Sequence, residues 1–297
     1  MRILLTALSF AISSPAFAAL NILACEPEWG ALAKEIGGDR VTVYTATTAL
    51  QDPHRIEARP SLIARARSAD LMVCTGAELE IGWVPLLQTQ SGNPKIQAGQ
   101  PGYFEAAGVV ALLEKPTRLD RSMGDIHAAG NPHIHLDPRN IARVSAALSE
   151  RMATLDRADT RYYEDREKSF LQRWSDATAR WEKQGAPLKG MPLVVYHKNL
   201  TYLINWLGMR EVGALEPKPG LPPSTAHLGE LLDQLKREPA KAVVRAAYNE
   251  PRAAEWLAQR AKIPAVMVPF TVGGTDNAKD LFTLYDDTLT RLLAVAK

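Results

Sequence analysis

The sequence predicts an α/β fold: two βα lobes, each with a parallel sheet, joined by one long helix. Three observations predict it. Short apolar runs alternate with helix-period segments in the first half of the chain. The same alternation resumes in the second half. Between them lies an apolar stripe of helical period that runs for about seven turns without a breaker.

The elements follow in order. Asn21–Cys25 is a buried strand, and Trp29–Gly37 a helix closed by Gly37-Gly38. "RVTVYTAT", Arg40–Thr47, alternates like a strand. After the loop "QDPHRIEARP", Ser61 is expected to cap a helix over Ser61–Ala69. "DLMVC" is a strand, "LEIGWVPLLQ" a helix, and "GVVAL", Gly108–Leu112, a short strand. Arg139–Leu155 carries Ile141, Val144, Leu148 and Met152 on one helical face. Asp159–Gln184 continues with Tyr163, Phe170, Trp174, Ala177 and Trp181, and Gly185 and Pro187 stop it. "MPLVVYH", "MREVGAL", "AKAVVRAA" and "PAVMVPF" are then strands separated by helices, with Ser224 capping one of them. A last helix closes the chain from "NAKDLF" onward. The expected organisation is a leader over 1–18, a first lobe over 19–157, a linking helix over 158–185 and a second lobe over 186–297.

The chain has 297 residues, 46% of them hydrophobic and 23% charged, with a formal net charge of +2. That is ordinary for a globular protein. No basic stripe with interleaved aromatics exists, which argues against a nucleic-acid partner. "MRILLTALSFAISSPAFA" pairs Arg2 with an apolar run and ends in Ala16-Phe17-Ala18. It reads as a cleaved export signal near Ala18, because the run is shorter than the roughly 20 residues a membrane span needs. Acylation at Cys25 is the less favoured reading, since bulky Leu23 stands two places before it. Export permits a disulfide between Cys25 and Cys74, each ending an apolar run. Two buried free thiols are the other reading.

The chain has six histidines. Three share one setting, the end of an apolar strand or the loop beyond it: His54, His133 and His197. In open α/β sheets ligands bind beyond the carboxyl ends of the strands, where side chains from different strands converge. A divalent metal needs such convergence. Two of the three sit in one local frame, Asp52-Pro53-His54 and Asn131-Pro132-His133. Proline stiffens the backbone there, and the preceding Asp or Asn can satisfy loop amides. His135 shares a strand face with His133 and is expected to pack or hydrogen-bond beside the loop. Asp137 is the expected N-cap of the helix that follows. A fourth ligand is expected to be an oxygen donor, Asp276, after Gly273-Gly274; Thr275 and Asp276 also suit a helix N-cap. His227, in the first turn of a helix, reads as a surface residue.

The stretches "DPHRIEARPSLIARARSADLMVCTGAELE", "NPHIHLDPRN", "VVYHKNLTYLINWLG" and "LPPSTAHLGELLDQLK" resemble the cluster A-I solute-binding proteins of zinc and manganese ABC importers. The resemblance covers nearly the whole chain after the leader. It implies two lobes, a rigid connecting helix and a metal site in the cleft between them. It places metal ligands on His54, His133 and His197, with Asp276 as the nearest match for the fourth. The zinc-type loop rich in histidine and acid is missing, unless "DRSMGDIHAAG", with Asp120, Asp125 and His127, is a shortened form. His127 is then an auxiliary ligand.

Three imidazoles with one carboxylate or water suit zinc, whereas manganese favours more oxygens. The expected role is therefore a monomeric periplasmic protein that captures Zn2+ and passes it to a membrane permease. It is not expected to be an enzyme. The alternatives are a manganese binder of the same family, a surface adhesin or metal chaperone, and an exported zinc hydrolase. The hydrolase needs a general base, for which Asp52 and Asp137 stand nearest.

Overall fold

The computed structural model describes residues 19–118, 124 and 127–296. The expected leader over 1–18, and Asp120 and Asp125 of the short polar loop, lie outside the described residues.

Two four-stranded parallel sheets form the frame. The first contains β1 (Leu20–Ala24), β2 (Val41–Thr45), β3 (Leu71–Cys74) and β4 (Tyr103–Glu105). The second contains β5 (Pro192–Val195), β6 (Arg210–Ala214), β7 (Ala242–Ala246) and β8 (Ala265–Val268). The spatial orders are β2-β1-β3-β4 and β6-β5-β7-β8, so both sheets reverse direction at their first strand. Such a switch point opens a crevice at the carboxyl end of the sheet.

Helices α1 (Pro27–Gly37), α2 (Pro60–Ser68) and α3 (Val84–Ser91) pack on the first sheet. Helices α4 (Pro138–Leu155) and α5 (Thr160–Gly185) follow, and α5 is 26 residues long. The second half adds α6 (Thr201–Leu207), α7 (Thr225–Arg237), α8 (Pro251–Ala261) and α9 (Leu281–Leu293). The apolar stripe of α5 is buried along its length, and Trp174 packs against Phe170, Trp181, Phe282 and Tyr285. One continuous core runs from β1 and β3 through α1, α4 and α5 to β5, β7 and α9. The long helix is therefore a shared wall of both halves rather than a bare strut. No described helix is long and apolar enough to cross a membrane.

Cys25 and Cys74 form a disulfide across neighbouring strands, with Cα atoms 4.8 Å apart. That separation is the ordinary spacing of paired strands. Asp137 caps α4 by accepting from the Arg139 amide, and Ser224 caps α7.

Several local expectations are corrected. The strand expected over Gly108–Leu112 is instead β4, earlier in the chain, and Ala106–Val109 is a 3-10 turn. Gly102 decides this: a Cβ there would meet Lys95 O at 2.5 Å and Asp70 O at 2.6 Å, so only glycine lets the chain approach β3 at that point. Helix α2 starts at Pro60 behind Arg59 and has no side-chain cap, so Ser61 lies inside its first turn. Helix α9 starts only after Asp280, which forms a reciprocal capping box with Thr283, so neither Thr275 nor Asp276 is its cap.

Candidate metal centre

The carboxyl end of β2 leads into the loop that carries His54, and the carboxyl end of β5 leads directly to His197. His133 stands immediately before the 3-10 turn Ile134–Leu136 that enters α4. The structure brings these three together: a ring nitrogen of each lies within 4.8 Å of the others. Their ring centroids are 5.3–5.5 Å apart. His127 joins from the short polar loop, its Nε2 3.3 Å from His54 Nε2.

The two Asx-Pro-His frames fold alike. Asp52 Oδ1 accepts from the His54 amide at 3.1 Å and faces His54 Nδ1 at 2.7 Å. Asn131 Oδ1 accepts from the His133 amide at 3.0 Å and faces His133 Nδ1 at 2.9 Å. The Asn131 amide nitrogen donates to Glu114, to Lys198 O and to Thr201 Oγ1, which fixes its oxygen toward the histidine. His197 Nδ1 faces Glu216 Oε2 at 2.7 Å. In all three rings an oxygen acceptor therefore holds the proton on Nδ1 and leaves Nε2 as the donor for a ligand, the arrangement that orients metal-binding imidazoles. His133 Nε2 is buried and has no hydrogen-bond partner among the described residues. Such an orphan costs free energy unless something occupies it.

Burial, followed by the neighbouring histidines, holds the His133 imidazole well below its ordinary value. The same causes pull His127 down to about 4. Both rings are thus neutral near pH 7, the form that binds metal. For Asp52 burial works upward, but the hydrogen bond and charge of His54 outweigh it and keep the carboxyl below its usual value.

Asp276 is not brought into this group. It is exposed in the turn after β8, where Thr275 and Asn277 on either side hydrogen-bond Asp287 of α9. Those bonds tie the turn to the last helix. His135 is fully engaged elsewhere: one ring nitrogen meets Glu28 Oε1 at 3.1 Å and the other meets Phe270 O at 2.9 Å. His227 is half-buried rather than superficial and reaches back to Ala214 O at 2.9 Å.

Sequence reasoning missed Glu216 and the acids beneath the site. Glu216 lies just past β6, beside β5, so the strand order would have drawn attention to it. Under the first lobe's loops, Glu80 accepts from the amides of Thr75 and Gly76 at 2.7 and 3.0 Å. Glu26 accepts from Thr75 Oγ1 at 3.2 Å, and its Oε1 is otherwise unpartnered. Burial, together with the Glu80 and Glu28 charges, pushes Glu26 well above its usual value; burial raises Glu80 to about 7. Burying two neighbouring carboxyls together favours keeping a proton on one of them. Below about pH 4.5 that proton is free of cost. Stability declines as pH rises toward 7, because the folded state binds more protons than the unfolded chain. Glu26→Gln supplies a permanent N–H donor toward Glu80. The variant is expected to melt higher than the parent at pH 8, by on the order of 2 kcal/mol, and to match it near pH 4.5. Thermal unfolding across that range checks this, and parallel curves would refute it.

Two parallel sheets sharing a long helix, with three histidines gathered at the strand ends, form the architecture of a two-lobed protein with a candidate metal site between its sheets. The chain belongs to the family described as zinc-uptake complex component A periplasmic, whose model matches residues 22–295. It is 22% identical over 210 residues to the zinc-binding lipoprotein AdcA of Streptococcus pneumoniae, covering 69% of this chain and 40% of AdcA. It is 23% identical over 155 residues to the manganese ABC transporter substrate-binding lipoprotein scaA of Streptococcus gordonii, covering 52% of this chain and 47% of scaA. The chain thus spans less than half the length of either relative. A crystal structure of ZnuA superimposes with a TM-score of 0.77 at 20% identity, covering 94% of this chain and all of that one.

Proposed function

We propose that this protein captures Zn2+ in the periplasm and delivers it to the permease of an ABC importer, with His54, His133 and His197 as ligands. One observation carries the reading: three imidazoles converge with each Nδ1 held by an oxygen, and His133 Nε2 is buried without a hydrogen-bond partner among the described residues. A tetrahedral zinc with bonds of about 2.0–2.1 Å needs donors about 3.4 Å apart. The 3.3 Å separation of His54 and His127 matches such an edge and supports His127 as the fourth donor. Asp276 remains the alternative fourth ligand if its turn swings inward on loading.

An all-nitrogen donor set favours zinc over manganese, which takes more oxygens. Neither of the two carboxylates the hydrolase reading would use is free. Asp52 is occupied by His54, and Asp137 by Arg139 and the start of α4. The protein therefore binds one ion stoichiometrically without turnover. Residues 1–18 serve as its export signal, and it acts as a monomer.

Calorimetry of the chelator-stripped protein with Zn2+ and with Mn2+ tests the proposal. One equivalent of zinc should bind at least a hundredfold more tightly than manganese. Tighter manganese binding would transfer the protein to the manganese importers, and binding of neither ion would remove the proposal altogether.

A further inference from the structure

The chain does something costly at Gly76, Ala77 and Glu78. Their φ angles are +78°, +50° and +67°, so two side-chain-bearing residues in succession occupy the left-handed region. Each costs about 1 kcal/mol or more unless its surroundings enforce it. The surroundings do: Glu80 accepts from the amides of Thr75 and Gly76, and Leu79 N donates to Gly76 O. Strain held this firmly at the rim of a site calls for a purpose there.

The turn meets the segment that carries His127. The main-chain oxygens of Ala77 and Glu78 lie beside the His127 ring. The Glu78 carboxylate accepts from the Ala128 amide at 2.6 Å. On the opposite side, Gly124 lies so close to the second half that a Cβ would meet Pro219 O at 2.3 Å. His127 Nε2 is thereby presented to His54.

We propose that the left-handed turn Gly76–Glu78 is a cradle that positions His127 as the fourth metal donor, with Glu78 as the positioning residue. It rests on the metal-site reading above. The turn sets the Glu78 carboxylate against the Ala128 amide and so fixes the main chain directly behind the imidazole. Glu78 touches no metal. It sets whether the site closes with four nitrogens or with three and a water.

Cobalt(II) is the probe, because its visible bands report coordination geometry, alongside zinc affinity by chelator competition. The proteins compared are the parent, Glu78→Ala, Glu78→Gln, His127→Ala and the double alanine variant. Glu78→Ala and His127→Ala should shift the cobalt bands alike and weaken zinc about fivefold each, far less than the loss of a buried ligand, because a water can take the place of a half-buried rim donor. The double variant should lose no more than either single one. Glu78→Gln should retain the parent spectrum, since its amide oxygen still accepts from Ala128. If His127→Ala changes the bands and Glu78→Ala does not, or if the two losses add, the cradle is refuted while the site stands. If neither changes them, His127 is not a donor and the cradle is refuted again. If the combined His54, His133 and His197 replacements leave zinc affinity intact, the underlying site reading has failed instead.

Discussion

His133→Ala is expected to lower zinc affinity by about a hundred- to a thousandfold. Structural zinc sites release about 10–16 kcal/mol in all. One ligand in four is then worth about 3–4 kcal/mol, which is that range in dissociation constant. His133 should sit at the upper end. Its ring is buried, its Nδ1 is fixed by Asn131, and its Nε2 has no hydrogen-bond partner among the described residues. The substitution removes that orphan nitrogen, so the apo protein should stay folded while zinc raises its melting temperature by much less. Chelator competition measures the affinity, and a value within threefold of the parent would show that His133 is not a ligand. The same change at His135 should be far milder in zinc affinity, because both of its nitrogens are taken by Glu28 and Phe270.

Trp174→Ala should be the most damaging single change to the fold, costing about 3–5 kcal/mol. Trp174 is 1% exposed at the centre of the shared core. It stacks on Phe170 with centroids 5.2 Å apart and meets Trp181 edge-on at 5.1 Å. Its indole N–H also donates to Pro138 O at 2.8 Å, which ties α5 to the start of α4 just behind His133. Urea unfolding should show a lower midpoint with an unchanged slope. Trp174→Phe restores much of the packing but not the hydrogen bond, so it should fall between the two. A loss below 1 kcal/mol in the alanine variant would mean that the long helix is not a common wall of the core.

Much of this was legible in the chain. Strand and helix order followed from hydrophobic period, and the α5 stripe named its own buried face. The Asx-Pro-His repeat singled out two convergent histidines, and its hydrogen bonding follows from the side chain preceding each proline. What stayed hidden depends on contacts distant in sequence. Glu216 reaches His197 only because β6 lies beside β5. The acids Glu26 and Glu80 meet only once β1 and β3 are neighbours. The misplacement of β4 came from reading an apolar run, Gly108–Leu112, where close approach at Gly102 decided the pairing. Asp276 looked available because sequence gives residue type and spacing, but not which way a turn folds.

The bond from Asn131 Nδ2 to Lys198 O has a consequence for how an ion is held and surrendered. It joins the frame of His133 to the residue next to His197, and Tyr202 reinforces it by donating to Asn131 O at 2.7 Å. These two imidazoles therefore form one preset chelating arm, whose second bond forms at high effective concentration once the first exists. His54 reaches the ion from a separate loop, the one after β2. Holding the ion is then a matter of one preset bidentate arm and a third imidazole brought to it. Losing the third bond would leave the arm intact.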